Sequence, residues 1–230
     1  VGAQSLKPVE HIIVDDGSID DTVSIVLELQ REFPYLQIIR QRKSGAGVAR
    51  NAGIEVARAR NVAFLDSDDY WRERKLETQV GFMDAHRVAF SYGDYDAVDA
   101  ATDIVLGRHI APESLAYGAL LRGCPIGCLT VAFDQSVLGK RFMPDVRRGQ
   151  DWGFWLVLTR DGAVGRRYPG CHAVYSQSKG SLSSKKLGKV ADIYKIYRNQ
   201  ERLGPLRTIR YMVPHIFDAL TKKPAKSRSC

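Results

Sequence analysis

Val62-Ala63-Phe64-Leu65-Asp66-Ser67-Asp68-Asp69 is the stretch on which the reading of this chain turns. Four apolar residues read as a short buried strand, and three carboxylates follow within four positions. Like charges this close repel, and folding them together is costly unless something positive sits among them. A hard divalent cation with oxygen ligands meets that need, and such a cation usually shares its shell with substrate phosphates. The carboxyl end of a strand is also where open α/β sheets bind ligands. The stretch therefore points to a phosphorylated, metal-bound substrate. A plainer reading is an acidic loop in which Asp69 caps a helix opening near Tyr70-Trp71-Arg72-Glu73.

Upstream, strands and helices alternate. Val9 to Val14 reads as a buried strand bounded by Pro8 and Asp15-Asp16-Gly17-Ser18. Asp20 or Asp21 is placed to cap a helix over Thr22 to Phe33, stopped by Pro34. Leu36 to Ile39 reads as a second strand. Val48, Ala49, Ala52, Val56 and Ala57 form a small-residue helix face able to lie close to a sheet. This alternation predicts a Rossmann-like, mostly parallel α/β sheet with helices on both faces. Downstream, Val88 to Tyr92, Leu129 to Phe133 and Tyr168 to Gln177 read as strands, Glu113 to Leu121 and Asp151 to Thr159 as helices. Residues 176–184 read as a polar loop.

The 230 residues allow one sizeable α/β domain, or one domain with an appendage. No apolar run is long enough to cross a bilayer, and Val1 to Glu10 lacks the apolar core of a secretory signal. Cys124 and Cys128 form a lone pair with no second pair or histidine cluster, which argues against a zinc site and for reduced thiols in a cytoplasmic protein. The net charge of +8 is unevenly placed. Residues 185–230 hold 12 Lys and Arg against 3 Asp and Glu, a net of +9. That asymmetry points to an anionic membrane surface rather than nucleic acid as partner. The tail from Lys189 reads as helical, with an apolar stripe at Leu206, Ile209, Val213, Ile216 or Phe217, and Leu220, flanked by Arg207 and Arg210 and followed by Lys222, Lys223 and Lys226. Two fates stay open for the stripe: a membrane interface, or packing into the core. Pro214 is expected to kink or interrupt the helix.

Four segments, in order, carry a resemblance. They are Asp15-Asp16-Gly17-Ser18; Lys43-Ser44-Gly45-Ala46-Gly47-Val48-Ala49-Arg50-Asn51; Asp66-Ser67-Asp68-Asp69; and Gly149-Gln150-Asp151-Trp152. From residue 5 to about 185 the chain resembles the family 2 glycosyltransferases, which have the GT-A fold. The tail is similar to that of members building bacterial surface polysaccharides on lipid-linked acceptors. The resemblance divides the chain into a GT-A domain over 1–185 and a basic, amphipathic helical tail over 186–230. It also implies that the family's first strand is absent and that the chain starts inside the helix following it, as a fragment or from a late start.

What the resemblance implies for chemistry is specific. Asp15 and Asp16 bind the base and ribose of a nucleotide-sugar donor, most often a UDP-sugar. Lys43, Arg50 and Asn51 line the nucleotide pocket, although Arg50 could equally pair with a surface carboxylate. Asp66 lies near the ribose, and Asp68 and Asp69 hold Mn²⁺ or Mg²⁺. Asp151 is the base of an inverting, hexosyltransferase-type transfer, a role compatible with capping its own helix. Relatives have Glu-Asp where this chain has Gln150-Asp151. The acceptor is a glycan or lipid-linked saccharide, and the protein is cytoplasmic, peripheral on the inner membrane face. Two other readings stand beside it: an impaired relative acting as a binding module, and a nucleotidyltransferase, disfavoured because no Gly-rich phosphate loop opens the chain.

Overall fold

The computed structural model describes residues 1–178 and 186–221. The first half follows the sequence closely. Strand β1 (His11–Asp15) leads through helix α1 (Thr22–Glu32) to β2 (Leu36–Arg40), and the two strands pair in parallel from His11↔Leu36 to Asp15↔Arg40. Asp20 accepts hydrogen bonds from the Thr22 amide and hydroxyl at 3.1 and 2.6 Å, tying down the start of α1. Helix α2 (Ala46–Val56) opens after Gly45, whose φ of 97° only glycine takes readily. Helix α2 lies on β1 at Gly53, where even a Cβ would stand in ordinary contact, 3.6 Å, with a Val14 methyl carbon.

The second half departs from expectation. Strands β3 (Asn61–Ala63), β4 (Tyr70–Trp71), β5 (Phe90–Asp99), β8 (Ala132–Asp134) and β9 (Gly165–Gln177) form a sheet in the order β3-β8-β5-β9-β4. Strand β6 (Val105–His109) pairs with β5, and β7 (Ser114–Leu115) pairs with β9. Within this sheet only β5 and β9 run parallel, among the described residues. The sheet is thus mixed, not mostly parallel. Parallel neighbours need a crossover connection, and only β1–α1–β2 and the long excursion from β5 to β9 supply one. The β1–β2 ladder also stands apart from the larger sheet.

Local corrections follow from pairing. Tyr70 and Trp71 do not open a helix, because they pair with Val174 and Ala173 of β9. Helix α3 (Lys75–His86) starts later, so Asp69 caps nothing. The helix expected over Glu113 to Leu121 shrinks to α4 (Tyr117–Leu120), because Ser114 and Leu115 are drawn into pairing with Arg166 and Gly165. The strand expected over Leu129 to Phe133 begins at Ala132, after a 3₁₀ turn over Cys128–Thr130 that the Thr130 hydroxyl closes onto the Gly127 carbonyl at 2.8 Å. Short helix α5 (Gln135–Leu138) follows β8, and α6 (Gln150–Thr159) precedes β9. Helix α6 begins at Gly149, with φ of 73°, so Asp151 lies in the first turn and is not the cap.

The core lies where α6 meets the sheet. Phe64 contacts the rings of Phe133, Phe154 and Trp155 at centroid distances of 6.2, 6.0 and 6.1 Å. Trp155 also stacks on Phe90 at 5.6 Å. The tail continues this core. Helix α7 (Lys186–Lys195) runs into one π-helical turn (Ile196–Gln200), then α8 (Pro205–Thr221). Ile193, Ile196, Tyr197, Leu203 and Met212 all join the cluster containing Trp152. Pro214 does not interrupt α8, which runs on through it. The predicted stripe, however, faces outward: Leu206, Ile209, Val213 and Ile216 are all exposed, while Thr208 and Met212 point in. The polar loop from 179 to 184, the Phe217 and Leu220 side chains, and Lys222, Lys223 and Lys226 lie outside the described residues.

Candidate active site

Two helices, α2 and α6, and the segment after β3 meet at Arg50. Its guanidinium grips both oxygens of Asp66 from one nitrogen, at 2.5 and 2.7 Å. Burial alone would lower its pKa, but Asp66, through its charge and hydrogen bonds, and the charge of Asp151 reverse this and hold it charged. One cation from α2 therefore lies within electrostatic reach of a carboxylate after β3 and a carboxylate on α6. The Phe64 cluster explains the convergence: Phe64 leads into Leu65-Asp66, and Phe154 and Trp155 follow Asp151, so both acidic segments stand on one aromatic floor. A second contact joins the same elements. A Cβ on Gly47 would sit 3.1 Å from Cγ of Gln150, so the first turn of α2 lies close against the residue beside Asp151.

Asp15 ends β1 and is buried. Hydrogen bonds from Ser18 hold its carboxyl below the usual carboxylate range, with Arg40 at 3.6 Å adding to them. Its Oδ2 is buried without a hydrogen-bond partner. Such an atom is costly unless a donor reaches it, and ribose hydroxyls and base nitrogens are donors of that kind. Asp16 is already occupied. Gln41 and the Ser44 amide donate to Oδ1, both at 2.7 Å, and the Gly45 amide donates to Oδ2 at 2.8 Å. Burial opposes its ionisation, but these bonds outweigh it and the pKa is lowered. Asp16 thereby shapes the loop carrying Lys43, which is exposed. Asn51 clamps the Met143 backbone: it donates to the carbonyl at 2.9 Å and accepts from the amide at 2.7 Å.

The three aspartates after β3 take different environments. Asp66 is spent on Arg50. Asp68 is exposed. Asp69 is buried and accepts from the Ser176 amide at 3.0 Å; burial, with Asp68 and Asp66 adding to it, pushes its pKa up to about 7. The cluster is short of positive charge, and a cation fits it. Among the described residues, no three His, Cys, Asp or Glu side chains group closely enough to hold an ion by themselves. Asp68 and Asp69 would therefore form part of a shell that phosphate oxygens complete, the usual arrangement for Mg²⁺ at phosphorylated substrates.

Sequence reasoning missed several neighbours. Tyr175 on β9 feels the charge of all three aspartates, and burial chiefly, together with that charge, raises its pKa. Its ring meets Tyr95 edge-on at 6.0 Å. Only the β5–β9 register places Tyr95 opposite Ala173 and so next to Tyr175. Below them Lys75 is fully buried, its ammonium nitrogen 3.8 Å over the Trp71 ring and without a hydrogen bond; desolvation lowers its pKa to about 7. Cys128 is buried, and desolvation first among its causes pushes the thiol up, keeping it protonated and inert. Cys124, Cys128 and Cys171 are free thiols.

Known proteins are similar to this chain in sequence and in fold. The Glycosyl transferase family 2 pattern matches residues 1–134. The glycosyltransferase TuaG of Bacillus subtilis (strain 168), provisionally placed in teichuronic acid biosynthesis, is 38% identical over 216 residues, covering 93% of this chain and 85% of TuaG. WfgD of Escherichia coli, a UDP-Glc:α-D-GlcNAc-diphosphoundecaprenol β-1,3-glucosyltransferase, is 33% identical over 220 residues, covering 93% of this chain and 83% of its own length. In fold, Staphylococcus aureus TarS 1–349 in complex with UDP-GlcNAc matches with a TM-score of 0.69 at 19% identity, over 93% of this chain and 65% of TarS 1–349. The mannosyltransferase PcManGT of Pyrobaculum calidifontis, in complex with GDP-Man and Mn²⁺, matches with a TM-score of 0.64 at 18% identity, over 94% of this chain and 63% of its own. Motif order, fold and relatives agree: the chain belongs to the family 2 glycosyltransferases, with a GT-A-like fold.

Proposed function

We propose that this protein transfers a hexose from a UDP-sugar, with inversion, to a hydroxyl of a lipid-linked saccharide, in the synthesis of a bacterial surface polysaccharide. The observation carrying the reading is Arg50, which holds Asp66 and feels Asp151, so donor motif and base share one charged centre. Among relatives, WfgD acts from UDP-Glc on a diphosphoundecaprenol-linked GlcNAc. Oδ2 of Asp15, ion-paired with Arg40 but without a hydrogen bond, accepts from the nucleoside, while Asp16 keeps the 41–45 loop in shape. Asp68 and Asp69 hold Mn²⁺ or Mg²⁺, which when bound supplies Lewis-acid neutralisation of the diphosphate. Asp151 takes the proton from the acceptor hydroxyl. That oxygen bonds to the anomeric carbon from the face opposite the leaving group, the carbon–oxygen bond to phosphate breaks, and the diphosphate departs with the electron pair. Such work places the protein in the cytoplasm, at the inner membrane face where lipid-linked acceptors are extended.

Asp151→Asn tests the reading. Turnover is expected to fall by roughly 10²–10⁴-fold, the usual worth of a general base. Donor affinity by calorimetry and the unfolding midpoint are expected to stay unchanged. Near-normal transfer from a UDP-sugar to a lipid-linked acceptor by this variant overturns the assignment.

A further inference from the structure

Helix α8 turns two different faces to its surroundings. Thr208 and Met212 point inward and are buried, while Leu206, Ile209, Val213 and Ile216 point outward at 85, 63, 58 and 41% exposure. Four apolar side chains of one helix thus stand in water. Arg207 and Arg210 are exposed beside the stripe, and neither has an ion pair among the described residues. No helix among the described residues is long and apolar enough to cross a membrane.

We propose that this outward face of α8 docks on an anionic lipid bilayer. The apolar stripe enters the acyl boundary, and Arg207 and Arg210 meet lipid phosphates at headgroup level, as for helices that lie in an interface. The net charge of +9 over residues 185–230 is of the complementary sign. A second copy of the chain fits the face less well. A two-fold contact sets the same patch against itself and so brings arginines of one copy against those of the other.

The docked face is also mechanically close to the chemistry. The Tyr197 hydroxyl meets Nε2 of His215 at 3.0 Å, and the His215 ring lies 5.3 Å from that of Trp152, the residue after Asp151. Docking through α8 therefore sets the bilayer surface on the far side of a helix that touches the residue after Asp151. That this brings the base to a lipid-linked hydroxyl rests on the proposed function; the docking itself does not.

Co-sedimentation of the full chain with vesicles of phosphatidylglycerol and phosphatidylcholine, without sugar nucleotide, tests the surface. The unmodified protein is expected to partition into them at low salt and to leave at high salt. Ile209→Ser with Val213→Ser is expected to weaken partitioning more than about tenfold, from the lost apolar burial. Arg207→Gln with Arg210→Gln is expected to weaken it about five-fold for each arginine. Unchanged near-UV circular dichroism shows that the variants remain folded, and these positions point away from the core. Transfer to a soluble acceptor analogue reads the proposed function separately, so either idea can fail alone. Equal sedimentation by the apolar double variant overturns the proposal. So does absent vesicle binding together with a dimer, seen by sedimentation velocity, that the same variant dissolves.

Discussion

Arg50 contributes one nitrogen to both oxygens of Asp66, and its charge is also felt at Asp151. Lysine carries the charge but a single strongly hydrated point, without the planar fork. Arg50→Lys is therefore expected to keep the fold while weakening UDP binding roughly tenfold and slowing turnover further, measured as separate effects on Kd and kcat. Equal values for both proteins remove Arg50 from the site. Asp68→Ala probes the other end of the same motif. Because Asp68 is exposed, its loss leaves the fold intact. Calorimetry with UDP is expected to show tighter binding with Mn²⁺ than without for the parent, and no such difference for the variant. A retained metal effect removes Asp68 from the shell. The acidic motif, the Asp15-Asp16 pair and Asp151 were legible in the sequence because their signal is local. What each carboxylate does was not: that Asp16 serves a loop, and that Asn51 clamps Met143, depends on backbone groups 28 to 92 positions away.

Among the elements, β1 and β5 are contrasting cases. Strand β5 pairs with β9 and β8 and carries β6 as well, whereas β1 pairs only with β2 among the described residues. Around the small ladder, α1 buries only Val26 and leaves Ile25, Leu27 and Leu29 exposed. A two-stranded ladder with little burial is marginal, and local opening starts where buried apolar contact is scarce. Amides of Ile12 to Val14 are expected to exchange with solvent at least tenfold faster than those of Phe90 to Tyr92, measured by hydrogen exchange with mass spectrometry. Matching protection at the two strands contradicts this. Elements with strong periodicity, β1 through α2, were readable within a residue or two. Ser114-Leu115 and Tyr70-Trp71 were not, because a two-residue strand exists only through its partner on β9 and leaves no period of its own. The parallel sheet was over-predicted for the same reason: alternation reports elements, and the direction of β8 and β4 is settled by distant pairing.

For the molecule as a whole, Asp96 joins three separate pieces of chain. Arg108 of β6 donates to it at 2.7 and 3.1 Å, Arg72 after β4 donates at 2.7 Å, and Arg72 also reaches the Cys171 carbonyl at 2.7 Å. Hydrogen bonds from Arg108 first, working against desolvation, and then from Arg72, bring its carboxyl to about 2. The folded pKa lies below the unfolded value, so the linked stability is fully present above about pH 4 and is lost as pH falls toward 2. It amounts to about 2 kcal/mol. Asp96→Asn is thus expected to lower stability by about that amount at pH 7 and by little at pH 2, read from urea unfolding at both values. A pH-independent difference argues against the linkage. The tail belongs to this scale too. Tyr197 and Met212 bind it into the common core, while the stripe noticed in the sequence turns out to be the face that core leaves over.

Phe64 and Trp155 touch beneath the candidate site, one leading into Leu65-Asp66 and the other following Asp151. In the proposed transfer, the gap between leaving group and attacking hydroxyl is therefore gauged by a close-packed interior instead of by loops alone. Cores of this density change shape in steps and not by degrees. Warming that loosens the loops at 41–45 should blunt how readily substrates enter, yet leave the reach from donor to base nearly constant until the interior itself melts. Heat then acts on this enzyme as a threshold at the chemical step and as a slope only in substrate capture.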